Sequence, residues 1–194
     1  MNDFYSKLSK ILSYCGKDSE LVTKLLTEQC ADFSSLAVMD SSLISSLSSD
    51  KYAALIKLIS SIASRIGTES FKFGREHTEE EIKAFLCAYY LNAANETLLI
   101  LPIDKSGRVI CAEKVVEGTV NFSSVLPRKL LEIMLKHSSD RAIIAHNHPG
   151  GKAEPSEEDI ETTRVIKELF ASTSRELICH YVVAGADAFK LTVD

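Results

Sequence analysis

The spacing of apolar residues changes near residue 70, and this change divides the chain into two parts that must fold differently. Through residues 1–66 apolar side chains recur every three or four positions, which is the spacing of one helix face. This part has no proline and Gly16 as its single glycine. From Glu96 onward short apolar runs alternate with helical patterns, which indicates a mixed α/β fold. We therefore expect two domains, at 1–70 and 71–194.

The first domain is expected to be a small bundle of four or five helices. The stretch 52–66 shows the helical pattern most clearly. Asp18 and Asp40 stand at positions where helix N-caps are expected, since a short carboxylate can accept from the first free backbone N–H groups. The segment 67–74, which begins and ends with glycine, is expected to connect the two domains.

The second domain is expected to begin with a helix capped by Thr78 and ending near Leu91, because the spacing from Thr78 to Glu81 fits a capping box. A hairpin should follow, with an Asp-Lys-Ser-Gly turn between its strands. The other expected elements alternate around one mixed sheet. The full expectation is strands at 97–103 and 108–116, a helix at 127–137, a strand at 142–145, a helix at 156–171, and strands at 177–183 and 188–193.

Composition indicates a globular chain that can bury a core, with 45% hydrophobic and 25% charged residues. No apolar run is long enough to span a membrane, and the first residues do not resemble a signal peptide. The five cysteines are scattered without a Cys-x-x-Cys pair, which predicts neither a disulfide framework nor a thiolate zinc site. A cytoplasmic location is therefore expected.

The net charge is −5, and no cluster of lysine and arginine stands out in either part. Tight binding to a phosphate backbone normally needs such a basic patch. Nucleic acid is therefore doubtful as a partner on charge alone.

The segment with the most chemical information follows the strand expected at 142–145. Two histidines at i and i+2 of an extended chain point to the same side, so both imidazoles can reach one ion. The proline and glycine residues permit a tight return that brings in a carboxylate from the next helix. Two neutral imidazoles and one carboxylate around an open position form a catalytic zinc set. The segment reads His146-Asn147-His148-Pro149-Gly150-Gly151 and then Pro155-Ser156-Glu157-Glu158-Asp159.

Each part of this segment also has a purely structural explanation. An isolated His-x-His is often two exposed polar residues, and Ser156 with Asp159 forms a capping box that also suits the helix dipole. Capping does not explain why two histidines, Pro149 and a glycine pair come first. The complete spacing is much more specific than its parts, so we expect His146, His148 and Asp159 to hold one metal ion.

The complete pattern resembles the JAMM (MPN-plus) metalloprotease motif, and specifically the RadC family, in which a strand runs into Ala-His-Asn-His-Pro-Ser-Gly and then Pro-Ser-x-x-Asp. Here Gly150 stands where that family usually has serine. The resemblance covers roughly residues 78–194 and implies a cytidine-deaminase-like mixed sheet with flanking helices and one Zn²⁺ per chain. Its further points of similarity are Glu117-Gly118-Thr119, Pro127-Arg128 and His180-Tyr181-Val182-Val183.

The resemblance also implies catalytic residues. The family has a glutamate at the start of its first sheet strand, and Glu96 occupies that place. Its implied role is to take a proton from the metal-activated water and deliver it to the leaving amine. On the residues alone, Glu96 would be an ordinary charge at a strand end. Ser156 is implied to hydrogen-bond the oxyanion, with helix capping as its alternative role. The implied reaction is hydrolysis of an amide or isopeptide bond in a protein or peptide.

The remaining histidines and strand cysteines receive structural interpretations. His180 lies in an apolar strand and is interpreted as a core residue or as a group that orients a metal ligand, not as a fourth ligand. His137 and His77 are expected to face solvent. Cys179 and Cys111 are expected to be small buried hydrophobic residues in strands.

RadC-like proteins usually begin with a helix-hairpin-helix-like domain whose glycine hairpin presents backbone N–H groups to phosphate. Residues 1–70 resemble that domain only in a degenerate form, because the hairpin position at 45–53 has no glycine. A protein-interaction or dimerisation role for these helices is therefore expected. Two alternatives to a hydrolase remain open, a DNA-repair-associated nucleic-acid-binding protein and a non-catalytic metal-binding scaffold.

Overall fold

The computed structural model describes residues 3–14, 16, 18–30, 33–118 and 122–192. These residues form eight helices and one five-stranded sheet. The helices are α1 (Asp3–Ser13), α2 (Ser19–Gln29), α3 (Phe33–Val38), α4 (Ser41–Leu47), α5 (Asp50–Ser70), α6 (Glu79–Tyr90), α7 (Phe122–Lys136) and α8 (Glu157–Ser172). The strands are β1 (Thr97–Ile103), β2 (Glu113–Glu117), β3 (Arg141–Asn147), β4 (Glu176–Ala184) and β5 (Asp187–Leu191).

Helices α1 to α5 pack around their own apolar core, in agreement with the expected bundle. The core is formed by side chains that recur at helical spacing, among them Leu12, Leu26, Leu36, Ile44 and Ile56. Each of these five side chains is at most 1% exposed. The helical period of the sequence is thus explained by burial of one face of each helix.

The two predicted N-caps have different outcomes. The Asp40 carboxylate accepts from the backbone N–H groups of Ser42 and Leu43, at 2.7 and 3.3 Å, and caps α4 as expected. Asp18 stands at the N-cap of α2 but accepts no cap hydrogen bond there. Its carboxylate instead accepts from the Tyr52 hydroxyl at 2.7 Å. Asp18 therefore joins the start of α2 to α5, a tertiary contact that local spacing does not reveal.

The predicted connector at 67–74 is wrong in its first half, because α5 continues to Ser70. Gly67 lies inside this helix, and a Cβ added to it would come within 2.4 Å of the Ala88 Cβ of α6. The glycine therefore permits close approach of two helices and does not end one. The connector begins at Phe71, and Thr78 then caps α6 with the expected capping box to Glu81.

The sheet is mixed, with strand order β2-β1-β3-β4-β5. All neighbouring strands are antiparallel except β3 and β4, which are parallel. Both faces are covered, because alternate side chains of one strand belong to two separate cores. In β1, Leu99 and Leu101 enter the core that contains α6, and Leu98 and Ile100 enter the core that contains α7 and α8. The expected α/β class is confirmed, and the sheet lies between two helical layers.

Two predicted element boundaries in this part are wrong. Strand β2 begins at Glu113 and not at residue 108, since Val109 forms only isolated bridges to Arg75 and Ile103. Helix α7 begins at Phe122, so Pro127 lies inside it instead of in its first turn. A proline near a helix start removes one backbone hydrogen bond without ending the helix. The last predicted strand extended to residue 193, and the Gly-Thr turn includes residue 119; both positions lie outside the described residues.

The other strands and helix α8 agree with the expected elements to within two residues at each end. Among the described residues, no helix is both long and apolar enough to cross a lipid bilayer.

The central position of β1 gives a stability prediction. Leu101 is 0% exposed and Leu135, on the outer side of α7, is 62% exposed. Leu101→Ala should lower the free energy of unfolding by about 2–5 kcal/mol, because it removes buried methyl groups and leaves a cavity. Leu135→Ala is the matched control and should change it by about 0.5 kcal/mol or less. Urea unfolding measures both, and equal effects would contradict the assigned core.

Candidate metal centre

The candidate metal centre lies at the carboxyl end of β3, the middle strand of the sheet. The register pairs His146 of β3 with Leu98 of β1 on one side and with Val182 of β4 on the other. Helix α8 follows the loop after β3 and returns across the same end. Residues from four elements can therefore approach the end of β3.

Three side chains converge at this point. The Nε2 atom of His146 lies 2.9 Å from Nε2 of His148 and 3.1 Å from Oδ1 of Asp159. The His148 Nε2 atom lies 3.4 Å from Oδ2 of Asp159. Ligands of a tetrahedral zinc ion, each about 2.0–2.2 Å from the metal, lie about 3.3–3.6 Å apart. The structure thus brings together the three residues that the sequence predicted as ligands; one of their separations lies in this range, and the other two are a few tenths of an ångström shorter.

The Asp159 carboxylate is held by the first turn of α8. The backbone N–H and the hydroxyl of Ser156 donate to its Oδ2 atom at 2.8 and 2.7 Å. The Asp159 N–H donates back to the Ser156 hydroxyl at 3.1 Å, which completes the capping box. The capping role expected for Ser156 is therefore present. Ser156 also orients Asp159, because its two bonds hold Oδ2 and leave Oδ1 to face His146.

Asp159 is an anion at neutral pH. Burial would raise the pKa of its carboxyl, but the hydrogen bond and charge of His146 and the hydrogen bonds from Ser156 outweigh that effect and hold the pKa well below its ordinary value. A carboxylate beside two imidazoles supplies the negative charge that a divalent cation needs.

The loop after β3 fixes the ring of His148. The Nδ1 atom of His148 lies 3.1 Å from the carbonyl oxygen of Lys152, which can only accept a hydrogen bond. Nδ1 therefore carries a proton, and Nε2 is the ring nitrogen that faces His146 and Asp159. Gly150 has a φ of 69° in this loop, a left-handed conformation that favours glycine.

A chain of hydrogen bonds likewise determines the tautomer of His146. The Thr163 hydroxyl lies 2.5 Å from the Asp159 backbone carbonyl and 2.7 Å from Nδ1 of His180. Because the carbonyl can only accept, the single hydroxyl proton of Thr163 is directed to it, and Nδ1–H of His180 donates to the hydroxyl oxygen. The Nε2 atom of His180 then accepts from Nδ1–H of His146, 2.7 Å away. His146 Nε2 therefore faces Asp159, where it can donate to the carboxylate while it carries a proton and can offer a lone pair to a metal ion once that proton has left.

His180 is neutral in this chain. Burial, followed by the nearby His146, lowers its pKa to about 3. A neutral ring can donate from one nitrogen and accept at the other, which the chain requires. His180 is thus a buried residue that contacts a candidate ligand and is not a ligand itself, in line with its interpretation from sequence.

Glu96 lies immediately before β1 and lines the same pocket, whose volume is about 120 Å³. The pocket is also lined by His146, His148, Ser156 and Asp159. All five residues singled out from sequence therefore border one space. Glu96 is exposed to solvent.

Asn147, the middle residue of the motif, positions the segment that carries Glu96. Its side chain points away from the two histidines and is 3% exposed. The Asn147 Oδ1 atom accepts from the backbone N–H of Thr97 at 2.8 Å, and its Nδ2 donates to the Asn95 carbonyl at 3.1 Å. These bonds connect the end of β3 to the residues on both sides of Glu96.

Sequence reasoning assigned no role to Asn147 or to Thr163. For Asn147 a usable signal existed, because alternation along the strand places it opposite the histidines, where an amide can join backbone groups. For Thr163 the signal was its position four residues after Asp159, which places both on one face of α8. Its contact with His180, however, depends on how α8 packs on β4.

Three structural interpretations from sequence are wrong. The His77 side chain is 0% exposed and stacks on Phe71 with ring centroids 3.7 Å apart. His137 is 19% exposed and forms an ion pair with Glu113. Cys111 precedes β2 instead of lying within a strand, and it is only partly buried. These errors share one cause, since each residue lies outside the periodic part of its element.

A mixed sheet with His-x-His at a strand end and a carboxylate in the next helix is the arrangement of a JAB-type domain. A family profile described as a RadC-like JAB domain matches residues 77–192. The chain therefore belongs to the RadC family.

Relatives support this membership over most of the chain. A UPF0758 protein of Herminiimonas arsenicoxydans is 31% identical over 157 residues, which cover 80% of this chain and 70% of the relative. A UPF0758 protein of Photobacterium profundum is 32% identical over 175 residues, covering 87% of this chain and 76% of the relative. A third, from Janthinobacterium, is 29% identical over 157 residues.

The role of Asn147 gives a second prediction. Asn147→Ala should lower the free energy of unfolding by about 1–3 kcal/mol, because it leaves the buried N–H of Thr97 without an acceptor. Asn92→Ala is the matched control, since exposed Asn92 makes a single hydrogen bond to the Ser60 carbonyl. We expect Asn92→Ala to change the free energy of unfolding by about 0.5 kcal/mol or less. Urea unfolding of both variants checks the difference, and a cost no larger for Asn147→Ala would refute the proposed anchoring.

The neutral state of His180 predicts a pH dependence of the metal-free protein. The folded state holds His180 neutral to about pH 3, whereas the unfolded chain protonates it near 6.5. The unfolded state thus binds more protons between these values, so stability is complete above this window and falls as pH falls through it. Within this window the contribution of His180 to the free energy of unfolding changes by about 1.4 kcal/mol per pH unit.

Urea unfolding in the presence of a chelator, at several pH values below neutrality, measures this slope. The variant His180→Gln has no titrating group at this position and should show a shallower dependence. The same slope in both proteins would exclude a neutral buried His180.

Proposed function

We propose that this protein is a zinc-dependent hydrolase that cleaves an amide or isopeptide bond in a protein or peptide substrate. The observation that carries the proposal is the convergence of three ligand atoms, on His146, His148 and Asp159, with the Nε2 atoms of both imidazoles directed inwards. Membership of a family with a JAB domain supports the same reaction class.

The residues of the centre fit zinc. Their donors are two neutral imidazole nitrogens and one carboxylate oxygen, a set that zinc uses in catalytic sites with one position left open. Each of the three donor groups makes a further hydrogen bond: His146 donates to His180, His148 donates to the Lys152 carbonyl, and Asp159 accepts from Ser156. When bound, zinc supplies Lewis acidity and lowers the pKa of a coordinated water to about 7.

Glu96 is proposed as the general acid and base. It borders the pocket from the β1 side, across from the ligands on β3 and α8. A carboxylate in this place accepts a proton from the attacking water and then donates it to the leaving nitrogen. Asn147 holds the backbone on both sides of Glu96, which limits the positions that the carboxylate can take.

Ser156 is proposed to stabilise the oxyanion in addition to its capping role. Its hydroxyl borders the pocket and donates to Asp159 Oδ2 in the structure. A hydroxyl can turn from this carboxylate to a developing oxyanion without a change in the backbone. The two roles use the same group in different states of the reaction.

The shape of the protein around the centre favours an extended substrate. A cleft of about 660 Å³ adjoins the centre along the loop from His148 to Glu154. The turn between β4 and β5 and part of α3 form its other walls. A cleft of this size accommodates several residues of a peptide, whereas the pocket of about 120 Å³ at the ligands accommodates only the bond to be cut.

Metal content tests the first part of the proposal. Elemental analysis should find about one zinc per chain that depends on these ligands. His146→Ala and His148→Ala should lose this zinc, whereas Glu96→Gln should retain it because Glu96 is not a ligand. Equal zinc content in the wild type and both histidine variants would exclude the centre.

The rate of hydrolysis tests the second part of the proposal, the role of Glu96. The substrates are pairs of peptides that differ only in the scissile bond, which is either α-linked or linked through a lysine ε-amine. Mass spectrometry identifies the products. Glu96→Gln should slow hydrolysis by about 10²–10⁴-fold, the usual contribution of a general acid and base. Glu158→Gln is the matched control, because Glu158 borders the same pocket without an assigned role. Unchanged turnover in Glu96→Gln would remove Glu96 from the mechanism.

A further inference from the structure

A second group of potential metal ligands lies at the edge of the sheet that strand β2 forms. It consists of Cys111, Glu113 and His137, and each residue has a ligand atom within 4.8 Å of the other two. The Cys111 Sγ atom is 3.4 Å from Nε2 of His137 and 4.0 Å from Oε1 of Glu113. The same Nε2 atom of His137 forms a short contact to the same Oε1 atom. Three donors of different chemistry thus point to one place.

The three donors are carried by supports that hold them together. Cys111, Glu113 and Val115 alternate along an extended segment, so their side chains lie on one face, and Val115 is fully buried under α7. His137 follows α7 directly, four residues after the buried Ile133, and its N–H donates to the Ile133 carbonyl at 3.1 Å. The three donors therefore lie at the solvent side of the packed contact between α7 and β2.

The backbone on the cysteine side is also fixed. The Val109 N–H donates to the Arg75 carbonyl at 3.0 Å, and the Ile110 N–H donates to the Pro102 carbonyl at 2.9 Å. Glu113 is paired with Ile100 in the β1–β2 register. A site built on such anchored segments needs little rearrangement to accept an ion.

We infer that Cys111, Glu113 and His137 bind a divalent transition-metal ion, most suitably Zn²⁺. Thiolate sulfur, imidazole nitrogen and carboxylate oxygen are the three ligand types that zinc takes in proteins, and three of them leave its fourth position for water or another ligand. The thiol of Cys111 gives up its proton to solvent as the metal–sulfur bond forms. Such an ion would connect the end of α7 to the edge of the sheet.

Charge and exposure agree with this assignment. The Glu113 and His137 side chains are 26% and 19% exposed, so an ion can enter from solvent while the donors remain partly desolvated. Lys136 forms an ion pair with Glu113 Oε1 at 2.7 Å and is itself 63% exposed. Its long side chain can move to the second carboxylate oxygen when a cation occupies the first. The alternative is a cluster held by hydrogen bonds alone, and a test must separate the two.

Cobalt(II) titration of the metal-free full-length protein provides this test, because a cobalt–thiolate bond produces a near-ultraviolet charge-transfer band that histidine and carboxylate ligands do not. We expect a band that saturates at about two cobalt per chain in the wild type, because the centre at the end of β3 also takes the ion, and at about one in His146→Ala; zinc should abolish the band by displacement. Cys111→Ser should remove the band. Cys87→Ser is the matched control and should retain it, since Cys87 is likewise partly buried but belongs to neither ligand group.

Glu113→Gln keeps the thiol and the fold. It should weaken the cobalt binding that the band reports by about tenfold or more. Absence of the band in the wild type, or its persistence in Cys111→Ser, would overturn the inference. The result is independent of the proposed hydrolase centre, which contains no sulfur ligand. His146→Ala should therefore leave the band unchanged, and loss of zinc from that centre can be read separately from loss of the band.

Discussion

The position of β3 between β1 and β4 is the constraint on which the candidate metal centre depends. Because β3 is antiparallel to one neighbour and parallel to the other, its carboxyl end meets the start of β1 and the carboxyl-terminal part of β4. Glu96 comes from the first neighbour and His180 from the second. Neither residue is near His146 in sequence, so the pairing of three strands alone places an acid, a ligand and a supporting imidazole together.

The hydrogen-bond chain from His146 to Asp159 joins two of the proposed ligands through the protein interior. It passes through His180 and Thr163 and ends at the backbone carbonyl of Asp159. A metal ion would close this chain into a ring, since His146 and Asp159 also face each other at the centre. Each donor is thus oriented from behind before an ion binds, which reduces the entropy lost on binding.

The sequence predicted the local part of this structure well and the long-range part poorly. His146, His148 and Asp159 lie within one strand, loop and helix turn, so their spacing alone determined that they meet. The helix boundaries failed where tertiary packing outweighs local preference, as at Gly67, which serves the approach of α5 to α6. Thr163 escaped notice because its partner His180 lies on a separate element. Glu96 was identified through family resemblance, since a glutamate before a strand has no local signal of function.

The two groups of potential ligands differ in a way that bears on how tightly each can hold an ion. In the candidate metal centre at the end of β3 every donor group has a hydrogen-bond partner behind it that fixes its orientation. In the group beside β2 the donors contact mainly one another, and Glu113 is shared with Lys136. Binding there must break these contacts first, and the broken ion pair with Lys136 opposes part of the metal's attraction. We therefore expect the centre at the end of β3 to hold an ion more tightly than the group beside β2, where an ion should exchange more readily with solvent.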